Sequence, residues 1–147
     1  MAAAQVFSIA NPFALVGWVI LIVAIVMRNA RLRDIVAGTI WPLLLSVLYV
    51  VALGLGWGST GGGFSSLADV RQLFSGDWTL LAGWVHYLAF DLFIGAWIAA
   101  EAERRGMSRL LLIPILPLTF LFGPAGLLLF AILRHVTGAG GVAPRTS

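Results

Sequence analysis

The chain has 147 residues, 61% hydrophobic and only 10% charged, and that composition excludes an ordinary soluble domain, in which about a quarter of residues are charged. Its net charge of +3 comes from nine Arg and no Lys against six acids, placed between apolar runs rather than along one basic face, which argues against nucleic acid as a partner. With no Cys, a disulfide framework, a thiolate metal site and a cysteine nucleophile are all excluded.

These features predict an all-α integral membrane protein: a four-helix bundle forming a single membrane domain over residues 1–147. The N-terminus lacks a positive n-region, and the first apolar run ends in Arg rather than in a small-residue cleavage site, so no removable signal peptide is expected. Asn11-Pro12 reads as a helix start, because Asn can cap and Pro fits the first helical position. The first span is therefore placed at about 11–27, which is on the short side unless residues before Asn11 extend it. Residues 28–34, RNARLRD, form a polar connection with three Arg. The second span, about 35–57, contains Pro42, whose missing N–H predicts a kink, with Ser46 or Thr39 available to the freed carbonyl.

The longest connection starts with the Gly-rich GSTGGG, which reads as a flexible loop. After it, Leu67, Val70, Leu73 and Phe74 recur at helical spacing and Ser66 can cap. This pattern predicts a short amphipathic helix between spans two and three, lying on the membrane surface or over the mouth of the bundle, with an ordinary loop turn packed on the helix ends as the alternative. The third span covers 79–100, TLLAGWVHYLAFDLFIGAWIAA. The fourth, 110–136, is interrupted by Pro114, Pro117 and the Gly123, Pro124, Gly126 group, so it cannot be straight. Residues 137–147 have the composition of a flexible tail. Counting Arg gives six in the two short connections against three elsewhere. By the positive-inside rule the short connections lie in the cytoplasm and both termini on the periplasmic side of a bacterial inner membrane.

The third span carries the chemistry. A helix of its length covers about 33 Å, which puts Asp91 near the bilayer midplane, where an unpaired carboxylate costs about 3 kcal/mol or more. His86 lies in the same span. At about 100° per residue the two groups are about 140° apart around the helix and do not form a pair. His86 shares its stripe with Phe90, Phe93 and Trp97; Asp91 shares its own with Trp84, Tyr87, Gly95 and Ile98. Metal binding is not expected, since helical carboxylate-imidazole sites recruit several ligands at i, i+3 or i+4 spacing. A Ser-His-Asp hydrolase lacks a nucleophile elbow around Ser46, the one serine well inside a span. Phosphate-cradling glycine motifs are missing, and no cofactor is expected.

Proton chemistry in an aromatic-lined intramembrane site remains. Hydrocarbon disfavours the charged form of a carboxyl, so Asp91 suits the role of a neutral acid, with His86 as donor or base. Protonating a polyene or an epoxide creates a delocalised cation that the faces of Trp84, Tyr87, Phe90, Phe93 and Trp97 can stabilise, with Trp41 and Tyr49 of the second span as further candidate contacts. The plainer reading is that His86 and Asp91 hydrogen-bond across helices to Tyr49, Thr39, Trp41 or Thr119 and fix the packing. Gly83, Ala89 and Gly95 would admit another helix closely, which is compatible with a homo-oligomer.

The residues Phe74-Ser75, Thr79-Leu80, Trp84-Val85-His86, Leu88-Ala89 and Asp91-Leu92-Phe93 resemble the core of the abscisic-acid-deficient-four family, plant membrane proteins needed to make neoxanthin, and its bacterial relatives. Phe122-Gly123-Pro124-Ala125-Gly126 is similar to that family's Pro-x-Gly segment in the last span. The resemblance implies a carotenoid or related isoprenoid lipid as substrate, with the plant reaction converting the epoxide violaxanthin to the allenic alcohol neoxanthin. The lack of a transit peptide suggests a bacterial member. Two functions are compatible with it: an enzyme that isomerises or rearranges such a lipid, and a non-catalytic membrane protein that binds a carotenoid and presents it to a partner enzyme.

Overall fold

The computed structural model describes residues 2–136 and contains five α-helices. They are α1 (Ala3–Val26), α2 (Trp41–Gly56), α3 (Leu67–Leu73), α4 (Asp77–Arg104) and α5 (Leu112–Val136). A π-helical stretch, Leu32–Ile40, runs directly into α2. The expected all-α membrane bundle is present: four helical segments are long and apolar enough to cross a membrane, namely Ala3–Val26, Leu32–Gly56, Asp77–Arg104 and Arg109–Val136. No strand occurs among the described residues.

The first helix begins earlier than Asn11-Pro12 suggested. Gln5 accepts a hydrogen bond from the Ala2 N–H at 3.0 Å and closes the first turn, and Pro12 sits inside the helix. A membrane helix tolerates such a proline because its neighbours satisfy the backbone around it. Asn11 is thereby released from capping, and its side-chain oxygen accepts from Trp84 Nε1 at 2.7 Å.

Pro42 lies where the π-helical stretch passes without a break into α2, inside one continuous helical segment, Leu32–Gly56. Just before it the turns are wider, and the Trp41 N–H reaches back to the Val36 carbonyl. Thr39 donates to the Asp34 carbonyl and Ser46 to the Pro42 carbonyl, at 2.7 and 2.8 Å. Gly38 lies where the stretch presses on α4, so close that a methyl group there would stand 3.1 Å from the Ala96 Cβ.

The amphipathic helix forms as α3, with Ser66 accepting from the Asp69 N–H at 3.1 Å. It packs on the helix ends through buried Leu73 and through Phe74, which covers Gly83, while Leu67 stays exposed.

Helix α4 is the axis of the bundle, packed against α1, α2 and α5. Of its spanning window 56% is buried, against a third or less for the other three. Small residues bring its neighbours close: Gly95 seats the Trp18 ring, and Gly17 of α1 seats Trp41 and Leu92. Gly83 lies under Phe74, Gly95 under Trp18, and Ala89 is buried, so the small residues expected to allow close approach of another helix are met by groups of this same chain.

The fourth segment departs most from a simple span. Phe122 has φ −146° and ψ 56° and breaks α5 into two arms. Residues seven apart in an unbroken helix stand about 10 Å apart along the axis, yet a methyl group on Gly126 would collide with Thr119. The first arm ends with the Leu121 carbonyl at Tyr87. Gly123 then meets Asp91, and Phe130 meets Trp97 with ring centroids 5.8 Å apart. Positions 87, 91 and 97 climb α4 toward Arg104, so the second arm runs back toward the end where the first began, beside the Arg109 contact to the Ile25 carbonyl. Val136 therefore lies at the Arg-rich end of the bundle, not at the end of the α1 N-terminus as a fourth crossing would place it. Residues 137–147, expected to form a tail, lie outside the described part.

Candidate functional site

The two polar residues of α4 occupy different stripes, as the helical phase requires. Asp91 is buried, 6% exposed, on the side facing α5. Its carboxyl rests against Gly123, within hydrogen-bonding reach of that residue's main chain and of the Tyr87 hydroxyl. Gly123 opens the second arm of α5, whose first N–H groups have no helical partner. The positive end of that arm's dipole favours a carboxyl there. Asp91 Oδ2 is buried with no hydrogen-bond partner among the described residues.

Tyr87 closes the other side of the break. Its hydroxyl donates to the Leu121 carbonyl and lies 3.3 Å from that of Phe120. Both carbonyls lose helical donors where Phe122 leaves the helix and Pro124 offers no N–H. Trp84 continues the same face, 5.5 Å from Tyr87 and 5.7 Å from Phe7 between ring centroids, and is tethered to Asn11. Trp84, Tyr87, Asp91 and the break in α5 thus lie along one polar-aromatic face of α4.

His86 lies on the other stripe and is exposed toward the membrane. Its ring stacks on Phe90 at 4.6 Å and tilts against Tyr49 of α2 at 5.6 Å. Phe90, Phe93 and Trp97 are 54, 47 and 38% exposed, so this stripe faces lipid instead of lining an interior cavity. A groove of about 270 Å³ runs beside it, bounded by Pro42, Ser46, Phe90 and Phe93. Trp41, expected near a ligand, is turned the other way: it stacks on Phe13 at 4.8 Å and donates to the Phe13 carbonyl at 2.7 Å.

The cross-helix hydrogen bonds anticipated for His86 and Asp91 are not the ones formed. Tyr49 meets His86 only through ring contact, while Thr39, Trp41 and Thr119 spend their donors on main-chain carbonyls. Sequence reasoning missed two members of the site. Asn11 reads as a helix cap, and Gly123 reads only as part of the group that interrupts the fourth span. Among the described residues no three His, Asp or Glu side chains converge as metal ligands would.

All-helical architecture with four long apolar segments is that of an integral membrane protein, and within it a buried carboxyl is set against a broken helix. The family model described as ABA DEFICIENT 4-like matches residues 5–130, and the chain belongs to that family. The matched region takes in α1 to α4 and the break in α5, the whole of the site. No curated protein and no solved structure matches the chain.

Proposed function

We propose that this protein isomerises a carotenoid or related isoprenoid lipid by acid-base chemistry at Asp91. The observation that carries this reading is the buried Asp91 carboxyl, one oxygen engaged by the α5 break and Oδ2 left without a partner. A midplane acid is costly and marks a functional site by default. The family's link to neoxanthin formation supplies the substrate class.

In this reading the acid form of Asp91 passes its proton to the oxygen of an epoxide at the end of the polyene, and the C–O bond opens. Positive charge spreads along the polyene, where the ring faces of Trp84 and Tyr87 stabilise it. A proton leaves the adjacent carbon and returns to the Asp91 carboxylate. Substrate and product are isomers, so no oxidant or reductant is consumed. His86 stands across the helix from Asp91. With Phe90, Phe93, Trp97 and Tyr49 it forms a separate lipid-facing stripe that receives the polyene from the membrane before its epoxide end reaches the Asp91 face.

The exposed stripe also supports a second reading, a non-catalytic protein that holds a carotenoid for a partner enzyme. Pigment profiles of membranes carrying the wild type, His86→Ala and Asp91→Asn separate the two. The enzyme reading expects both variants to fold and lose product. Unchanged product with both would leave only the binding role, which loss of pigment in Trp97→Ala would support.

The Arg distribution supports an orientation. Residues 28, 31, 33, 104, 105, 109 and 134, seven Arg, cluster at one end of the bundle, against Arg71 alone at the other among the described residues. The positive-inside rule puts the first end in the cytoplasm, with the α1 N-terminus across the membrane in the periplasm of a bacterial host. The folding back of α5 brings Val136 to the cytoplasmic end.

A further inference from the structure

We infer that the cytoplasmic end of the α1–α5 interface is a binding site for an anionic phospholipid, with the phosphate between Arg28 and Arg109 and an acyl chain in the groove below. Two adjoining spaces make up the site. A polar pocket of about 220 Å³ is bounded by Arg28, Arg33, Glu103 and Arg109. A larger apolar groove of about 460 Å³ runs on from it along Ile22, Val26, Ile113 and Pro117. Ile25, Arg109 and Leu112 border both, so the two spaces adjoin at these residues.

Charge decides the occupant. Arg33 pairs with Asp34 and Glu103, while Arg104 and Arg105 share Glu101, so these three cations are balanced by three carboxylates at this end of the bundle. Arg28 and Arg109 have no acidic partner among the described residues; Arg109 donates only to the Ile25 carbonyl, at 3.2 Å. Arg28 is held beside the pocket by a left-handed turn, φ 55°, that ends α1. Non-glycine residues rarely adopt that conformation. Arg28 follows the last turn of α1 and Arg109 precedes the first turn of α5, so both guanidinium groups stand at headgroup level with the apolar groove beneath them. A net-negative lipid presents a phosphate and a hydrocarbon chain in that order. The site is separate from Asp91 and does not depend on the carotenoid reading.

The test is native mass spectrometry of the full chain in detergent, titrated with dioleoyl phosphatidylglycerol, dioleoyl phosphatidylcholine, dihexanoyl phosphatidylglycerol and inorganic phosphate. Long-chain phosphatidylglycerol is expected to bind most tightly. Arg28→Gln should weaken it about fivefold, in line with one cation at a membrane surface, and Arg28→Gln/Arg109→Gln should bring it to the phosphatidylcholine level. Arg71→Gln, at the opposite end, should change nothing. Circular-dichroism melting of each variant checks the fold, and the exposed Arg28 variant serves alone should the double variant melt early. Equal binding of the two long-chain lipids, or an equal effect of Arg71→Gln, overturns the inference. Competition by inorganic phosphate as strong as by the long-chain lipid would also overturn it, identifying a free-anion site.

Discussion

The carboxyl of Asp91 rests directly on Gly123, with no space between them for a methyl group. Gly123→Ala should therefore displace the carboxyl or the second arm of α5, destabilising the protein by about 1–3 kcal/mol, the usual range for overpacking. Unfolding in detergent measures this. Because one contact causes the cost, Asp91→Ala/Gly123→Ala should lose less stability than the two single changes summed. Simple additivity would mean that the contact is not the cause.

Tyr87 satisfies main-chain carbonyls that the α5 break releases. Tyr87→Phe keeps the ring beside Trp84 and removes only the hydroxyl. The expected loss is about 1 kcal/mol, typical of interhelical hydrogen bonds in membranes. A loss indistinguishable from zero would show that the break is satisfied in another way.

Arg33 is 9% exposed; it pairs with Asp34 in its own π-helical stretch and joins that stretch to α4 through Glu103. Arg33→Met should cost about 1–2 kcal/mol: below the 3–5 expected when a fully buried pair is broken, because both acids are half exposed and can reach headgroup water. Adding Glu103→Gln should recover part of that loss. If the second change deepens it instead, Glu103 has a role apart from Arg33.

The return of α5 can be tested by labelling, because the chain has no native Cys. Single cysteines at Arg31, Ser59 and Val136 probe the two ends with a membrane-impermeant thiol reagent. Arg31→Cys and Val136→Cys should react from the same side and Ser59→Cys from the other. Val136→Cys reacting with Ser59→Cys would mean that α5 crosses the membrane.

Much of this structure is legible in the sequence. Hydropathy places four long apolar segments, and helical phase separates the Asp91 and His86 stripes, because both depend on local periodicity alone. The Ser66 cap and the short helix after it are read in the same way. The route of α5 is not. Phe122, Gly123 and Pro124 signal a break, but its direction depends on the close approach of Gly126 to Thr119 across it and on the long-range contacts by which Asp91 and Tyr87 meet the freed main-chain groups. Asn11-Pro12 misleads because a proline inside a membrane helix and a proline at a helix start look alike over a few residues. The aromatics of α4 fall on the stripes read for them, but which stripe faces lipid is decided by where α2 and α5 pack.

The central claim is that Asp91 carries the proton. Its most direct measurement is the conversion of a purified epoxycarotenoid by the wild type and by Asp91→Asn in the same liposomes, with bound pigment followed by its visible spectrum. Asp91→Asn should retain the pigment and lose product by about 10²-fold or more, the usual contribution of a positioned general acid. Product formed at the wild-type rate by Asp91→Asn would contradict the account.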